Sequence, residues 1–540
     1  MAEVTIVGAG IAGLTAALRL LQRGFRITLL DQDNFIGGKW GAHRHPTKPD
    51  QDYHEHCYHM FLNWYNNFWE IADELGVRHR FEPRHFLKYL RQGEFPRTTE
   101  LRDVGALASM WQNLFSGVRS LPDMFIYGYS LVDLLATEFY RREFLDQYPV
   151  NGFMRSRPYA TDAAAMQHQS TLAKAFACPS YSTACSTYRN FIKYSFRHPV
   201  PMMWVLKGDC YTAFLADLER KLESYGDQFQ RGMLHRVERM LLDSDGRVAR
   251  LEWSRLSKSP SIEPVTDADV LERSSSGIAR DGDVILAIPH EALGKLVDVP
   301  VYRAAPELGK VWRLRSEAMA SVDLHFKRRL SSIPREHVVL VRSRYDLTFI
   351  DNSQLWPGQD TTFLNLVGSE CDELSGLPAQ RDDGVIDVER RETVLDYLIS
   401  ELRRYLPDAF DLADIDTART YVQTNTGDRL VVNDVGSWQF RPRTTCRIPN
   451  LFIAGDFVQT PIDVVTIEGA VVSGLLAAEQ VRRRHGVGEP IQIRWPDVYP
   501  EVAVEALRLA GMPYAYLAKF AALAGEAAWR TYRDLMAGRR

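Results

Sequence analysis

Along the first thirty residues the apolar positions change period twice. Val4–Val7 is a short, mostly apolar run, the pattern of a buried strand. Apolar residues then recur at Leu14, Ala17, Leu18 and Leu21, one face of a helix, and Gly24 supplies its C-terminal stop. Ile27–Leu30 is a second apolar run, and it ends in Asp31. Further on, the mixed three and four spacing of 107–148 predicts amphipathic helices, and 86–204 as a whole carries few strand signals. Strands are expected at Ser321–Phe326, Val338–Val341 and Thr362–Val367, and a helix at Val388–Arg404. Leu451–Ala454 is one more apolar strand. A helix follows from about Ile467, with the small residues Gly469, Ala470, Ser473 and Gly474 along it. The polar stretch 254–282 lies between two strands and reads as a flexible hairpin insertion. The tail 499–536 has apolar residues at helical spacing, with Tyr514 and Tyr516 among them. Three roles are open to it: capping a lid, touching a membrane surface, or joining two copies of the chain. No internal repeat is visible.

Composition narrows the class. A chain of 540 residues exceeds one compact core, so two or more domains are expected. With 45% hydrophobic and 25% charged residues it is an ordinary globular protein, not a disordered one. A net charge of −4 leaves no nucleic-acid footprint. Cys57, Cys178, Cys185, Cys210, Cys371 and Cys446 form no CxxC pair and read as free thiols in a reducing cytoplasm. No apolar run reaches 18 residues, and no basic region precedes the strand at Val4. Neither a transmembrane helix nor a signal peptide is expected.

The chemistry sits at the joints of these elements. Gly8-Ala9-Gly10-Ile11-Ala12-Gly13 links the first strand to its helix. Gly8 permits the tight turn, Gly10 lets backbone approach a pyrophosphate at the helix N-terminus, and Gly13 lets helix and strand pack closely. Asp31 lies about twenty residues on, placed to accept hydrogen bonds from adenosine ribose hydroxyls and to disfavour a 2′-phosphate. Gly37-Gly38-Lys39-Trp40 adds two glycines and a cation, a second cradle for phosphate or ribityl that an NAD dehydrogenase does not need. Near the other end, Gly455-Asp456 follows a strand. The glycine admits a cofactor and the acid can accept a ribityl hydroxyl or stand near the pyrophosphate, while the helix beginning at Ile467, with Glu468 and Ala470, can aim its dipole at a flavin's O2 side.

These segments resemble the FAD-dependent amine oxidase and phytoene desaturase superfamily. Asp283–Leu293 is similar to the family's strand beneath the flavin. Leu206-Lys207-Gly208-Asp209 looks like its link into a second cofactor-binding segment, and His235-Arg236-Val237 resembles the strand whose backbone meets adenine, with Val237 at the contact. The resemblance implies an α/β fold: a Rossmann-like FAD-binding domain of the GR2 type (1–85, 205–300 and 421–485). It also implies a discontinuous α+β substrate domain with a helical lid (86–204 and 301–420) and a C-terminal helical extension (486–540).

One dense stretch, 52–69, reads DYHEHCYHMFLNWYNNFW. Its histidines suggest a metal, yet His54, His56 and His59 do not fall on one face with a matching carboxylate, so none is expected. It is similar instead to the E-x-G-x-H-x-F-F-G-x-Y-x-N pattern of carotene desaturases. Glu55, His59, Phe61, Tyr65 and Asn67 match, while Cys57, Leu62 and Asn63 depart. The resemblance places His59, Glu55 and Tyr65 at the flavin's reactive face. Many amine oxidases of the superfamily carry a lysine where this chain aligns Ser321, which favours desaturase-like chemistry. The function implied is FAD-dependent dehydrogenation of a hydrophobic, isoprenoid-like, polyene or natural-product substrate, with a quinone or oxygen taking the electrons. The alternatives are an amine or porphyrinogen-type oxidase and a reduced-flavin isomerase.

Overall fold

The computed structural model describes residues 2–44, 53–93, 98–102, 107–136, 142–176, 178–198, 201–317, 319–369, 388–424 and 430–537. Cys371, part of 107–148 and the start of the 52–69 stretch lie outside the described residues.

Four distant parts of the chain build one parallel sheet. Its strand order is Phe229–Gly232, Arg26–Leu30, Glu3–Val7, Asp283–Leu286, Leu451–Ile453. Glu3–Val7 sits at the centre, with Val4 beside Asp283 on one side and Ile27 on the other. The sheet's inner strands are mostly apolar because both faces are largely covered. The helices Ile11–Leu21 and Ile467–His485 pack against each other so closely that a Cβ at Gly474 would lie 2.3 Å from the Ala12 carbonyl oxygen. Small residues on the second helix are what allow the two helices to meet.

A three-stranded antiparallel sheet follows from His235–Leu242, Val248–Leu256 and Val270–Gly277. The expected hairpin is present: Val248–Leu256 and Val270–Gly277 pair antiparallel across the loop that joins them. Part of 254–282 is a regular strand, preceded by a turn at Asp267–Asp269 with a capping box from Thr266. It is polar because it is an edge strand whose side chains are mostly exposed, so no apolar face is required. The loop before it is tied down: Ser261 binds the Asp33 carboxylate and Ser259 donates to Asn34.

The larger sheet has seven strands in the order Tyr421–Thr424, Ala320–His325, Phe363–Gly368, Leu347–Asp351, His337–Leu340, Phe86–Leu90, Thr98–Arg102. The three expected strands are present within a residue. Leu347–Asp351, Tyr421–Thr424 and the pair from 86–102 are additions, and that pair lies in a region expected to carry few strands. Their alternation was masked by charged residues on the less buried face. The helix Val388–Tyr405 buries Leu398 and Leu402 in the same core as this sheet's Leu324, Leu340 and Leu366.

Helices Leu121–Leu135, Asp162–Phe176 and Cys185–Ser195 pack together beside it. The C-terminal helix Glu501–Ala537 lies along Leu121–Leu135. There the Tyr129 hydroxyl donates to the Arg508 carbonyl, and a Cβ at Gly511 would lie 2.9 Å from the Tyr129 ring. Its outward face carries exposed Leu517, Phe520 and Trp529. No helix among the described residues is long and apolar enough to cross a membrane.

Candidate functional site

A single cavity of about 670 Å³ runs from the glycine turn of the parallel sheet to the inner face of the seven-stranded sheet. Its first end is made by backbone. Gly8 has φ +109°, and a Cβ there would lie 2.2 Å from the Ala287 carbonyl oxygen; one at Gly13 would lie 2.0 Å from the Gly8 oxygen. The fold itself demands these two glycines. Gly10 is different: a Cβ there would find nothing closer than Gly38 Cα at 3.9 Å. The space it leaves opens onto the cavity. That is the cradle a dinucleotide pyrophosphate fits, at the N-terminus of the Ile11–Leu21 helix.

The other predicted cofactor residues gather around the same space. Asp31 lines the cavity, and its carboxylate accepts from Ala9 N at 2.5 Å and Asp33 N at 2.8 Å, which fixes it at the turn. Ile11, Ala12, Gly37, Gly38, Lys39, Trp40, Val237, Gly455, Asp456 and Ala470 all line the wall. Lys39 reaches Asp456 at 3.4 Å, so the first and last motifs meet across 417 positions of sequence. Gly455, at φ +140°, donates its N–H to Ser473 Oγ at 2.8 Å.

Two predicted residues lie behind the wall. Gly13 serves packing, as expected. Glu468 is fully buried, and its carboxylate accepts from Asn67 N (3.0 Å), Asn67 Nδ2 (2.6 Å) and Phe68 N (2.9 Å). It caps the helix Asn66–Glu74 and does not line the cavity; burial pushes its pKa up to about 8, against those three donors.

The second end of the cavity is formed by the 53–67 segment lying on the seven-stranded sheet. Two residues anchor it. His54 pairs with Asp323 at 2.9 Å and stacks on Tyr421. The Tyr58 hydroxyl meets His337 Nε2 at 2.5 Å and Thr348 Oγ1 at 2.8 Å, while Tyr58 N donates to Asn365 Oδ1. Held this way, the segment presents His56, Cys57 and His59 to the cavity. His54 thus stands apart from His56 and His59, as expected, but the donor atoms of His56, Cys57 and His59 lie within 4.8 Å of one another, a grouping that the sequence reading did not expect. No further His, Cys or carboxylate joins that group among the described residues. Burial holds His56 well below the usual imidazole range, with His59 and Lys39 adding to the effect, and pushes the Cys57 thiol up.

Of the five positions matching the carotene desaturase pattern, His59 and Tyr65 line the cavity. Tyr65 lies beside Thr466, whose hydroxyl caps the Ile467–His485 helix by accepting from Gly469 N at 3.1 Å. Glu55 lies just behind His59. Its Oε1 accepts from Cys210 N at 2.6 Å, and burial raises its pKa. Phe61 and Asn67 are structural: Phe61 packs among Trp40, Phe68 and Phe81, and Asn67 serves Glu468. Ser321 bonds Asn365 on the neighbouring strand and is not among the lining residues. Sequence reasoning missed Tyr58, His337 and Thr348. The one available signal was polar residues on the inner face of otherwise apolar strands.

Residues 11–482 match the family model for flavin containing amine oxidoreductases. The chain belongs to that family. As a flavin-containing oxidoreductase of this group it is an FAD enzyme, and the glycine cradle, Asp31 and the Lys39–Asp456 bridge are the parts of this chain that would hold the cofactor. Among curated relatives it is 23% identical to the 15-cis-phytoene desaturase of Solanum lycopersicum over 498 residues, covering 89% of this chain and 77% of that one. It is 25% identical to the carotenoid phi-ring synthase of Streptomyces griseus, covering 90% and 88%. Among solved structures, the fold is shared with a putative protoporphyrinogen oxidase from Exiguobacterium sp. 255-15 (TM-score 0.59, 17% identity, 89% of this chain and 99% of that one). It is shared also with the cyclohexylamine oxidase of Brevibacterium oxydans (TM-score 0.57, 14% identity, 90% and 99%).

Proposed function

We propose that this family member dehydrogenates a hydrophobic, polyene or isoprenoid-like substrate, and that the reduced cofactor passes its electrons to a quinone or oxygen. The observation that carries the reading is the wall beyond the flavin end. It is built mainly from apolar and aromatic side chains of sheet and helices, among them Leu87, Tyr89, Leu131, Phe191, Met203 and Val339. Such a wall holds an apolar chain by burial and excludes water. Bound FAD supplies the hydride acceptor. The chain's own residues orient the substrate, and His59, with Glu55 and Tyr65 beside it, handles the proton released as the double bond forms. The phytoene desaturase and phi-ring synthase relatives support a polyene over an amine. The exposed apolar face of Glu501–Ala537 supports peripheral membrane contact, a natural source of such substrates.

The test is anaerobic titration of the FAD-loaded protein. Bleaching of the oxidised flavin bands by a hydrophobic polyene pool, with product two hydrogens lighter, is the expected result. Bleaching by amines alone would move the assignment to an amine oxidase. Product of unchanged mass would move it to an isomerase. Co-sedimentation with lipid vesicles checks the membrane contact.

A further inference from the structure

His59 faces two spaces. One is the flavin cavity; the other is a hollow of about 20 Å³ lined by Glu55, His59 and Asn352, with Val205 and Ile350 among its apolar walls. His59 Nδ1 is buried and has no hydrogen-bond partner among the described residues. The nearest carboxylate oxygen, Glu55 Oε2, is 3.9 Å away, too far for a direct hydrogen bond. Glu55 does not swing freely to close that gap, because Oε1 is held by Cys210 N at 2.6 Å. A polar gap of this width calls for a bridging water. A water needs roughly 10–15 Å³ and two or more polar partners, and the hollow offers both.

We propose that one water molecule occupies this hollow and joins His59 Nδ1 to Glu55. The bridge fixes the ring: Nδ1 carries the hydrogen and donates it to the water, which leaves Nε2 as the acceptor. The catalytic consequence rests on the dehydrogenase reading above. When the substrate gives up a hydride, the proton on the adjacent carbon passes to Nε2, and its C–H electron pair remains in the substrate as the new double bond. The imidazolium so formed faces the Glu55 carboxylate across one water, while the hydride pair leaves with the cofactor. Glu55 is then a positioning residue acting through His59.

The experiment uses the FAD-loaded protein without substrate. A high-resolution crystal structure is expected to show one ordered water within hydrogen-bond distance of both His59 Nδ1 and Glu55. Histidine 15N spectra, with His59→Gln assigning the signal, are expected to show the neutral ring protonated at Nδ1. Val205→Ile adds one methylene to the hollow without touching either group. It is expected to remove the water and the Nδ1–H preference, keep FAD bound, and slow flavin reduction by the polyene pool about tenfold, the lower end of what a lost orienting partner costs. Glu55→Gln, which keeps the water but not the charge, is expected to slow reduction by a similar factor. Absence of the water, a wild-type ring protonated at Nε2, or a Val205→Ile protein whose spectrum is unchanged overturns the proposal. If no polyene reduces the flavin but water and tautomer are as described, the substrate reading fails and the bridge stands.

Discussion

The two ends of the cavity are built on opposite plans. At the nucleotide end, chemistry lies in backbone: glycines, helix termini and one acid, contributed by short turns between buried strands. At the substrate end it lies in side chains: a segment pinned to an antiparallel sheet by His54–Asp323 and Tyr58–His337–Thr348 so that its other residues face inward. A backbone cradle tolerates almost no change in residue type but constrains few positions. A pinned segment tolerates changes in type, yet it depends on partners such as Asp323, Thr348 and Cys210 scattered through the chain. The difference teaches that the residue types at the nucleotide end are dictated by local backbone geometry, whereas the side chains at the other end are placed by distant partners.

The sharpest way to break this contrast is to put side chains at the two kinds of glycine. Gly13→Val is expected to lose the folded state outright, because its first carbon would sit 2.0 Å from the Gly8 oxygen. Gly10→Val is expected to fold and purify colourless, because only the cofactor needs that space; thermal melting and flavin absorbance separate the two outcomes. Next in size, Arg441→Leu removes one of the two arginines paired with the buried Asp463, leaving Arg142, and takes away the donors that Arg441 gives to the Phe457 and Asp456 carbonyls. Loss of about 1–3 kcal/mol is expected for the buried carbonyls left without a donor, read as a fall in denaturation midpoint together with weaker FAD retention.

At the pinned end, His59→Gln is expected to keep FAD and lose about 10²–10⁴-fold in flavin reduction, the usual reach of a positioned proton acceptor. The pH profile sharpens this. Burial raises the Glu55 pKa, so the ionised form fills in only as pH rises through that raised value. Reduction is therefore expected to fall toward low pH with a limb above the ordinary carboxylate range, and Glu55→Gln to flatten the limb. Tyr58→Phe removes the hydroxyl that meets His337 and Thr348, at an expected cost of about 1–3 kcal/mol in unfolding free energy with FAD content intact.

The smallest effect lies far from both ends. Hydrogen bonding from Arg482 leads the causes that lower the Glu479 pKa to about 2. A carboxylate depressed on folding stabilises the protein above its unfolded pKa, and that stability is lost as pH falls toward 2. Glu479→Gln is expected to lower the denaturation midpoint slightly at neutral pH and to make no difference near pH 2.

Legibility in the sequence follows the same division. The turn at Gly8–Gly13, the acid at Asp31 and the Gly455-Asp456 pair were readable because one local conformation demands each residue type. The three main strands of the larger sheet were readable as apolar runs. Strands 86–102 and 270–277 were not, since polar residues on half-exposed or edge positions erase the alternation that marks a strand. Glu468 was placed near the flavin by its position at a helix start. What decides its direction is Asn67, 401 positions earlier, whose amide and backbone claim the carboxylate. The segregation of His54 from His56 and His59 likewise depends on Asp323, and no local period announces a partner that distant.

The central strand Glu3–Val7 pairs with Asp283–Leu286, which pairs in turn with Leu451–Ile453, and the first helix rests against Ile467–His485. During synthesis, the glycine turn at Gly8–Gly13 therefore emerges long before the residues that complete it. The nascent chain must keep its first βα unit from associating elsewhere until some 450 further residues have been made. Cofactor capture is accordingly a late event in the life of each molecule, and a chain cut short before Gly455 would leave the ribosome with its most recognisable motif intact and unable to use it.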